Sequence, residues 1–479
     1  MYDVLIIGCG VIGASCAYTL AKYRLNVAVL EKSSDVANGT TKANSAIVHA
    51  GYDPHPGTRM ARLNVEGNRM TEELCKKLDV PYKKIGSHVL AFNEKEVETL
   101  RELYDRGTKN GVPGMKIITG DEARAMEPHL ADTVVASLWA PSAGIVSPWE
   151  LALAMMETAV RNGTELFLET PVEGIRYEEN HFVVTTPKGE FCARYVLNAA
   201  GVHTQAVAEL VGEAPFKIQP NKGEYYLLDK SEGSRVNSVI FQCPNENGKG
   251  VLVSPTVHGN LIVGPSAEHV DSAEATINTA EALDFVRRTA MLSVPSVSFR
   301  ENIRNFTGVR ANHSSDDFLL EESTILPGLY HLAGIKSPGL TAAPAIAEEM
   351  LRWLVTKMPL TLKDSYVDSR KRIRFNELSN EEKDRVIKGN PLYGRVICRC
   401  ETITEGEIVD ALHSPVPPTT VNGVKRRVGA GMGRCQGGFC GPRVQEILAR
   451  ELGRPLESIQ MDHPGTYILT GRTKGGAEK

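Results

Sequence analysis

Asp3-Val4-Leu5-Ile6-Ile7-Gly8-Cys9-Gly10-Val11-Ile12-Gly13 stands at the head of the chain, and an apolar, alanine-rich run follows to about Tyr23. Residues 3–8 read as a short buried strand and the run after Gly13 as a helix. A second apolar strand, Asn26-Val27-Ala28-Val29-Leu30, ends at Glu31, 18 residues beyond Gly13. Strand, G-x-G-x-x-G, helix, strand and acid together make a dinucleotide-binding βαβ unit. Gly8 permits the tight turn, Gly10 lets the backbone approach a pyrophosphate, and Gly13 lets helix and strand pack closely. The helix N-terminus offers unpaired N–H groups and a positive dipole end to phosphates. Glu31 can accept from ribose hydroxyls. The motif by itself does not separate FAD from NAD.

Outward from this unit, 479 residues exceed one core of usual size, so two or three domains are expected. Apolar residues at 42% and charged residues at 23% are ordinary globular values. The formal charge of −4 lacks the basic footprint of a nucleic-acid binder, so no nucleic-acid partner is expected. The apolar start is not a signal peptide or a span: Asp3 follows directly, no basic region precedes it, and three glycines interrupt it. No other stretch offers the roughly 18 uninterrupted apolar residues of a span. No integral membrane segment is therefore expected. A cytoplasmic location is, with peripheral attachment to a membrane left open. Cys9, Cys16, Cys75, Cys192 and Cys243 are scattered and read as small buried hydrophobes, whereas four more cysteines crowd into residues 398–440.

Residues 39–52 read Gly-Thr-Thr-Lys-Ala-Asn-Ser-Ala-Ile-Val-His-Ala-Gly-Tyr, small side chains that let backbone approach a flat ring system. This stretch resembles the D-amino-acid-oxidase-like flavoprotein superfamily, which includes glycerol-3-phosphate and L-2-hydroxyglutarate dehydrogenases. The resemblance implies FAD and an α/β fold: a Rossmann-like FAD-binding domain with a mixed-sheet substrate domain. It places Thr40, Thr41, Asn44 and Ser45 along the cofactor and the turn His49-Ala50-Gly51 near the flavin. Residues 172–201 read as a hairpin and a further strand ending in Tyr195-Val-Leu-Asn-Ala-Ala-Gly201, and the resemblance covers this stretch, whose last strand approaches the cofactor, which adds Val172, Ala200 and Gly201. Residues 329–343 resemble the superfamily's C-terminal FAD motif, with Gly334, Gly339, Leu340 and Thr341 in the turn and a helix from Ala342 to about Thr356. That helix N-terminus would stabilise negative charge on a flavin. The expected borders are 1–79, 150–214 and 311–356 for the FAD-binding domain and 80–149 with 215–310 for the substrate-binding domain. A linker at 357–394, a cysteine domain at 395–455 and a tail at 456–479 follow.

Oxidising a CH–OH group by flavin needs a hydride acceptor, a base for the hydroxyl proton and a cation for an anionic substrate. The resemblance makes the flavin the acceptor and His49 the base, with flavin positioning and covalent attachment as open alternatives for His49. Arg310, in Thr307-Gly308-Val309-Arg310, is similar to the superfamily's substrate-binding arginine, whose fork grips a carboxylate or phosphate bidentately. Lys336 stands where glycerol-3-phosphate dehydrogenases carry a lysine that can polarise the substrate oxygen or contact the flavin. Lys222, Tyr225 and His258 are further pocket candidates. One departure is Asp53, shortly after the His49 turn, where those enzymes carry an arginine. A carboxylate there repels phosphate, and Arg59 or Arg62 would have to compensate. The Pro56-Gly57 pair with Arg59 looks more like the hydroxyglutarate branch.

Cys398-Arg399-Cys400 is followed, 34 residues later, by Cys435-Gln436-Gly437-Gly438-Phe439-Cys440. Four thiolates in two close pairs suit zinc or an iron–sulfur cluster. The glycine-rich surroundings let backbone N–H groups face sulfur. Zinc ribbons prefer C-x-x-C pairs. The stretch resembles the bacterioferritin-associated-ferredoxin-like domain, a small helical module, which implies a 2Fe–2S cluster on Cys398, Cys400, Cys435 and Cys440. The combined resemblance implies an FAD-dependent dehydrogenase of a small anionic secondary alcohol, sn-glycerol 3-phosphate first. Electrons would leave through the cluster to an electron-accepting flavoprotein or iron–sulfur subunit. L-2-hydroxyglutarate or another 2-hydroxyacid, an amine or amino acid, and a non-catalytic electron-transfer role are the alternatives.

Overall fold

β1 (Tyr2–Ile7) is apolar from Val4 onward because it lies inside a sheet covered on both faces, where strands read as continuous hydrophobic runs. It pairs in parallel with β2 (Val27–Leu30) on one side and with the strand Gly189–Asn198 on the other. Between β1 and β2 runs α1 (Val11–Leu20), nine of whose ten residues are buried. A helix that is apolar all round must be covered all round, and α1 lies against the helices Pro148–Arg161 and Gly339–Val355. The expected extension of α1 to Tyr23 stops at Leu20. A Gly13 side chain would begin 2.0 Å from the Gly8 carbonyl oxygen, so this crossing exists only with glycine there.

This computed structural model describes residues 1–213, 216–244 and 250–471. The border expected at 214 and 215 and the end of the tail, 472–479, lie outside the described residues. The chain divides into two units, Met1–Glu31 with Val36–Arg370 and Lys32–Asp35 with Lys371–Lys479.

The first unit holds two large sheets among its described residues. One, of eight strands, contains β1 and β2, the meander Gly174–Glu178, His181–Thr186 and Gly189–Asn198, and the strand Leu329–Ala333. Ile7 is level with Asn198, and Asn198 with His331. The loops after β1, after β2, after Asn198 and after Ala333 therefore leave one edge of the sheet. The carboxyl edge of parallel strands is where α/β folds bind ligands. The second sheet, of nine mixed strands, comes from residues 87–140 and 218–313. Its strands Ile218–Leu228 and Asn302–His313 pair antiparallel along their whole length. The helix expected from Ala342 begins three residues earlier, at Gly339, and ends at Val355. An α/β Rossmann-like body with a mixed second sheet and a small helical C-terminal part is thus the fold.

The second unit packs the helices Glu405–Leu412, Val421–Val428 and Gly441–Leu452 around Ile408, Val424, Val444, Ile447 and Leu448. It begins at Lys371, inside the stretch expected as linker. The cause is local: the Phe375 N–H donates to Glu407 Oε1 at 3.1 Å, and Tyr393 lies 6.2 Å from the Phe375 ring. It also takes in Lys32–Asp35, directly after Glu31. The Asp35 carboxylate, 2% exposed, accepts from Arg426 Nε at 3.1 Å and Nη2 at 2.9 Å and from both Nη atoms of Arg427 at 2.9 Å. Burial alone would raise the Asp35 pKa. The charges and hydrogen bonds of Arg427 and then Arg426 outweigh it and hold the group at about 2.

A group with a depressed folded pKa contributes stability above its unfolded value and loses it as pH falls through the folded one. Asp35→Ala leaves Arg427 its Val416 and Gly423 carbonyls but removes its counter-charge, while Arg426 keeps Asp462 at 3.1 Å. The expected cost to the second unit at neutral pH is about 3 kcal/mol. Denaturant titrations followed at the cysteine centre should show the gap between parent and variant narrowing as pH falls from about 4 toward 2. A gap that ignores pH would remove Asp35 from this role.

Candidate active site and cysteine centre

The loop after β1 is held by Glu31 and Thr41. The Cys9 N–H donates to Glu31 Oε2 at 2.7 Å, and the Val11 N–H, at the start of α1, donates to Thr41 Oγ1 at 3.0 Å. A side chain on Gly10 would begin 3.2 Å from Thr41 Oγ1. Gly8 has φ +99°, and a Cβ there would lie 2.7 Å from the Ala199 carbonyl oxygen. Ala200 and Val172 pack on the cluster of Leu5, Ile7 and Leu30, and Gly201 turns the chain away at φ +60°.

Residues 39–52 run from this loop toward the second sheet. The Asn44 amide donates to the Thr41 carbonyl at 2.8 Å and to that of Thr40 at 3.3 Å, and its Oδ1 accepts from the Ala46 N–H at 2.8 Å. The Thr40 hydroxyl donates to the Val309 carbonyl at 2.6 Å, and the Ser45 and Tyr225 hydroxyls share a 3.2 Å hydrogen bond. A Cβ on Gly308 would lie 1.8 Å from the Ala43 carbonyl oxygen, so the strand and the segment are in backbone contact.

At the other end of the segment the His49 N–H donates to Thr341 Oγ1 at 2.9 Å, and Thr341 Oγ1 donates to the Ile47 carbonyl at 3.3 Å. His49 Nε2 and Ser337 Oγ share a 3.1 Å hydrogen bond. The amides of Asn68 and Asn64 donate to the His49 carbonyl at 3.0 and 3.3 Å. The imidazole stacks on Phe241, with centroids 5.8 Å apart. His49 thus sits at the N-terminus of the helix Gly339–Val355, where Gly334 turns at φ +64° and a Cβ on Gly339 would meet Ile335 at 2.5 Å. Leu340, half-buried, follows in the first turn. His49, Gly51, Tyr52, Asp53, Pro54 and Pro338 line a small cleft here.

Arg310 lies on Asn302–His313 opposite Asn221. Its Nη1 donates to Asn221 Oδ1 at 2.7 Å and its Nη2 to the Ser266 carbonyl at 3.2 Å. A Cβ on Gly223 would come within 2.2 Å of Nη2, so glycine there lets the guanidinium lie across the strand. Lys336, in the turn before Ser337, forms an ion pair with Asp316. Lys222 is buried between Glu224 at 3.2 Å and Glu268 at 2.9 Å, which neutralise it. Tyr225 stacks on Phe306 at 4.7 Å, and His258 lies against Trp149 and 3.5 Å from Glu150. The guanidinium of Arg59 donates to the Leu320 carbonyl at 2.9 Å, and Arg62 pairs with Glu66 at 3.3 Å and Glu349 at 3.1 Å. Arg62 is therefore spent on carboxylates, whereas Arg59, bonded to a neutral carbonyl, keeps its charge. Sequence reasoning missed Ser337, Asn221, Asn64 and Asn68. The last two stand four apart, one face of the helix Arg59–Lys77, which is a readable signal.

In the second unit Cys398 and Cys440 are buried, Cys400 is exposed and Cys435 is half-buried. The sulfurs stand two by two. Cys400 Sγ and Cys435 Sγ are 3.5 Å apart, and the Cys398 and Cys440 thiols are hydrogen-bonded, so each pair takes one cysteine from each motif. The Cys440 thiol pulls the Cys398 pKa down to about 6, helped by the N–H groups of Gly431 and Glu401 and opposed by burial. The Phe439 N–H, then Gly437, pulls that of Cys435 down. Gly431 at φ +92° and Gly437 at φ +90° adopt the left-handed turns that aim these groups. Four thiols by twos, with N–H groups on the sulfurs, fit a 2Fe–2S cluster.

Comparison with known proteins gives a family match for each of two stretches of the chain. The family described as FAD dependent oxidoreductase matches residues 3–353, and the BFD-like 2Fe-2S binding domain matches residues 396–450. A glycerol 3-phosphate dehydrogenase of Caloramator mitchellensis is 48% identical over 478 residues, 99% of each chain. A glycerol 3-phosphate oxidase of Mycoplasma genitalium is 34% identical over 74% of this chain and 95% of its own. The solved L-alpha-glycerophosphate oxidase of Mycoplasma pneumoniae with FAD bound has a TM-score of 0.75 and 31% identity, covering 78% of this chain and 99% of that one.

A Cβ on Gly433 would lie 2.4 Å from Cys400 Cβ. Gly433→Ala should therefore displace Cys400 and lower iron per flavin in the purified protein several-fold. Full iron content in that variant would show that Cys400 does not need its present place.

Proposed function

The chain belongs to the FAD-dependent oxidoreductase family and ends in a BFD-like 2Fe–2S domain, and from that premise we propose a dehydrogenase of sn-glycerol 3-phosphate that hands its electrons singly to a partner protein. The observation that carries this reading is the double anchorage of residues 39–52. Thr40 ties them to the strand of Arg310, and His49 ties them to Ser337 and Thr341. A base and a fork-shaped cation are thereby fixed to the two ends of one cofactor segment. Similarity to a glycerol 3-phosphate dehydrogenase along 99% of both chains supports the substrate.

When bound, FAD would supply the hydride acceptor, and a 2Fe–2S cluster held by Cys398, Cys400, Cys435 and Cys440 would supply a one-electron relay. The chain's own residues do the rest. Gly8, Gly10 and the α1 N-terminus receive the pyrophosphate, and Glu31 accepts from the ribose. Arg310 holds the substrate phosphate through its fork, which Asn221 and Ser266 pre-orient. His49 Nε2 takes the hydroxyl proton while Ser337 steadies the ring. Loss of that proton and of the hydride leaves the ketone. Lys336, one residue before Ser337 and paired with Asp316, would add positive charge at the substrate oxygen on exchanging that partner. Asp53 lines the cleft beside His49, which puts the phosphate at the Arg310 end. The electron acceptor is a flavoprotein or an iron–sulfur protein. Cysteines held as free thiols suit a reducing cytoplasm, and among the described residues no helix is long and apolar enough to cross a membrane.

Anaerobic glycerol 3-phosphate should bleach the flavin band of the loaded enzyme, and L-2-hydroxyglutarate should not. Bleaching by the hydroxyacid alone would overturn the substrate assignment. Arg310→Lys keeps the charge but loses the fork, so KM should rise by roughly tenfold or more with flavin content unchanged. An unchanged KM would take Arg310 out of the substrate site.

A further inference from the structure

The cysteine centre is buried on one side and open on the other. Cys398 and Cys440 are 1% exposed, whereas Cys400 lies at the surface beside Cys435. The chain puts an arginine directly before each cysteine of this outer pair, Arg399 before Cys400 and Arg434 before Cys435, and both are exposed. Between Cys435 and Cys440 stands Phe439, whose side chain is left in water at 72% exposure. Its backbone N–H serves the Cys435 sulfur, so the residue is held in place while its ring is not part of the core. The Arg399 guanidinium lies over that ring, 5.9 Å from the centroid. Arg395 and Arg443 flank the same two segments and pair with Glu405 at 3.3 Å and Glu446 at 2.7 Å. Residues 395–401 and 434–443 hold four arginines and one acidic side chain, Glu401, although the whole chain carries −4.

An exposed aromatic ring beside arginines is the composition of an interface centre rather than of free surface. Local positive charge on a negative molecule selects the sign of what approaches. We infer that this face docks an acidic one-electron acceptor protein, whose carboxylates meet Arg399 and Arg434 and whose apolar spot meets Phe439, over the exposed Cys400–Cys435 edge. The inference rests on the proposed exit of electrons through the cysteine centre. Each docking moves one electron to the acceptor with no atom or proton transferred, so two dockings complete one substrate oxidation.

The test uses the full, cluster-loaded enzyme with rubredoxin, a small acidic iron protein, as probe and cytochrome c, which is basic, as control. Rubredoxin should bind saturably and weaken steeply with salt. Arg399→Glu and Phe439→Ala should each weaken it by about tenfold or more, with the cluster absorbance and substrate-driven flavin bleaching of the parent retained. Wild-type affinity in both variants, or equal affinity for cytochrome c, would overturn the docking face. Failure of substrate to bleach the parent flavin would instead count against the proposed reaction, since rubredoxin binding is read without substrate.

Discussion

A side chain on Gly13 would begin 2.0 Å from the Gly8 carbonyl oxygen, and one on Gly8 2.7 Å from that of Ala199. These two approaches bring α1, β1 and the strand Gly189–Asn198 into backbone contact. Because those strands and Leu329–Ala333 are in register, their following loops leave the sheet at one edge. The segment of residues 39–52 crosses that edge, and the groups assigned to chemistry hang from it. A third glycine repeats the device, since Gly308 lets the strand of Arg310 touch Ala43. The site is thus built from main-chain contacts first and side chains second, which favours the fixed geometry that flavin chemistry uses.

The charged groups follow a different logic. Arg310 keeps its fork in place with one amide oxygen and one carbonyl, neutral partners that leave its charge available to an anion. Lys222, by contrast, is spent on Glu224 and Glu268, and Glu224 also accepts from the Thr279 N–H at the start of the helix Ala280–Ser293. One cation keeps its charge, as the proposed anion site requires, and the other ties strands together.

The βαβ unit and the four C-terminal cysteines were legible in the sequence because their signals are local: strand and helix periods, glycine spacing, and two tight cysteine pairs. Lys222 was misread as a pocket candidate, although Glu224 stands two residues on, on the same face of the strand. The partners of Arg310 and His49 were not legible, since Asn221, Ser266 and Ser337 arrive from 44 to 288 residues away. Nor was the membership of Lys32–Asp35 in the second unit, which rests on a pair 391 residues apart in sequence. A buried ion pair of that span leaves no periodicity to read.

On the proposed route, substrate electrons are taken as a pair at the flavin and reach the cysteine centre singly. An anaerobic titration with glycerol 3-phosphate, followed by optical and paramagnetic resonance spectra, tests it most directly. A flavin holding two electrons and a cluster holding one predict complete reduction at about 1.5 equivalents, with the cluster's paramagnetic signal present at the end. An endpoint at about one equivalent, with the flavin bleached and the cluster still oxidised, would contradict the account.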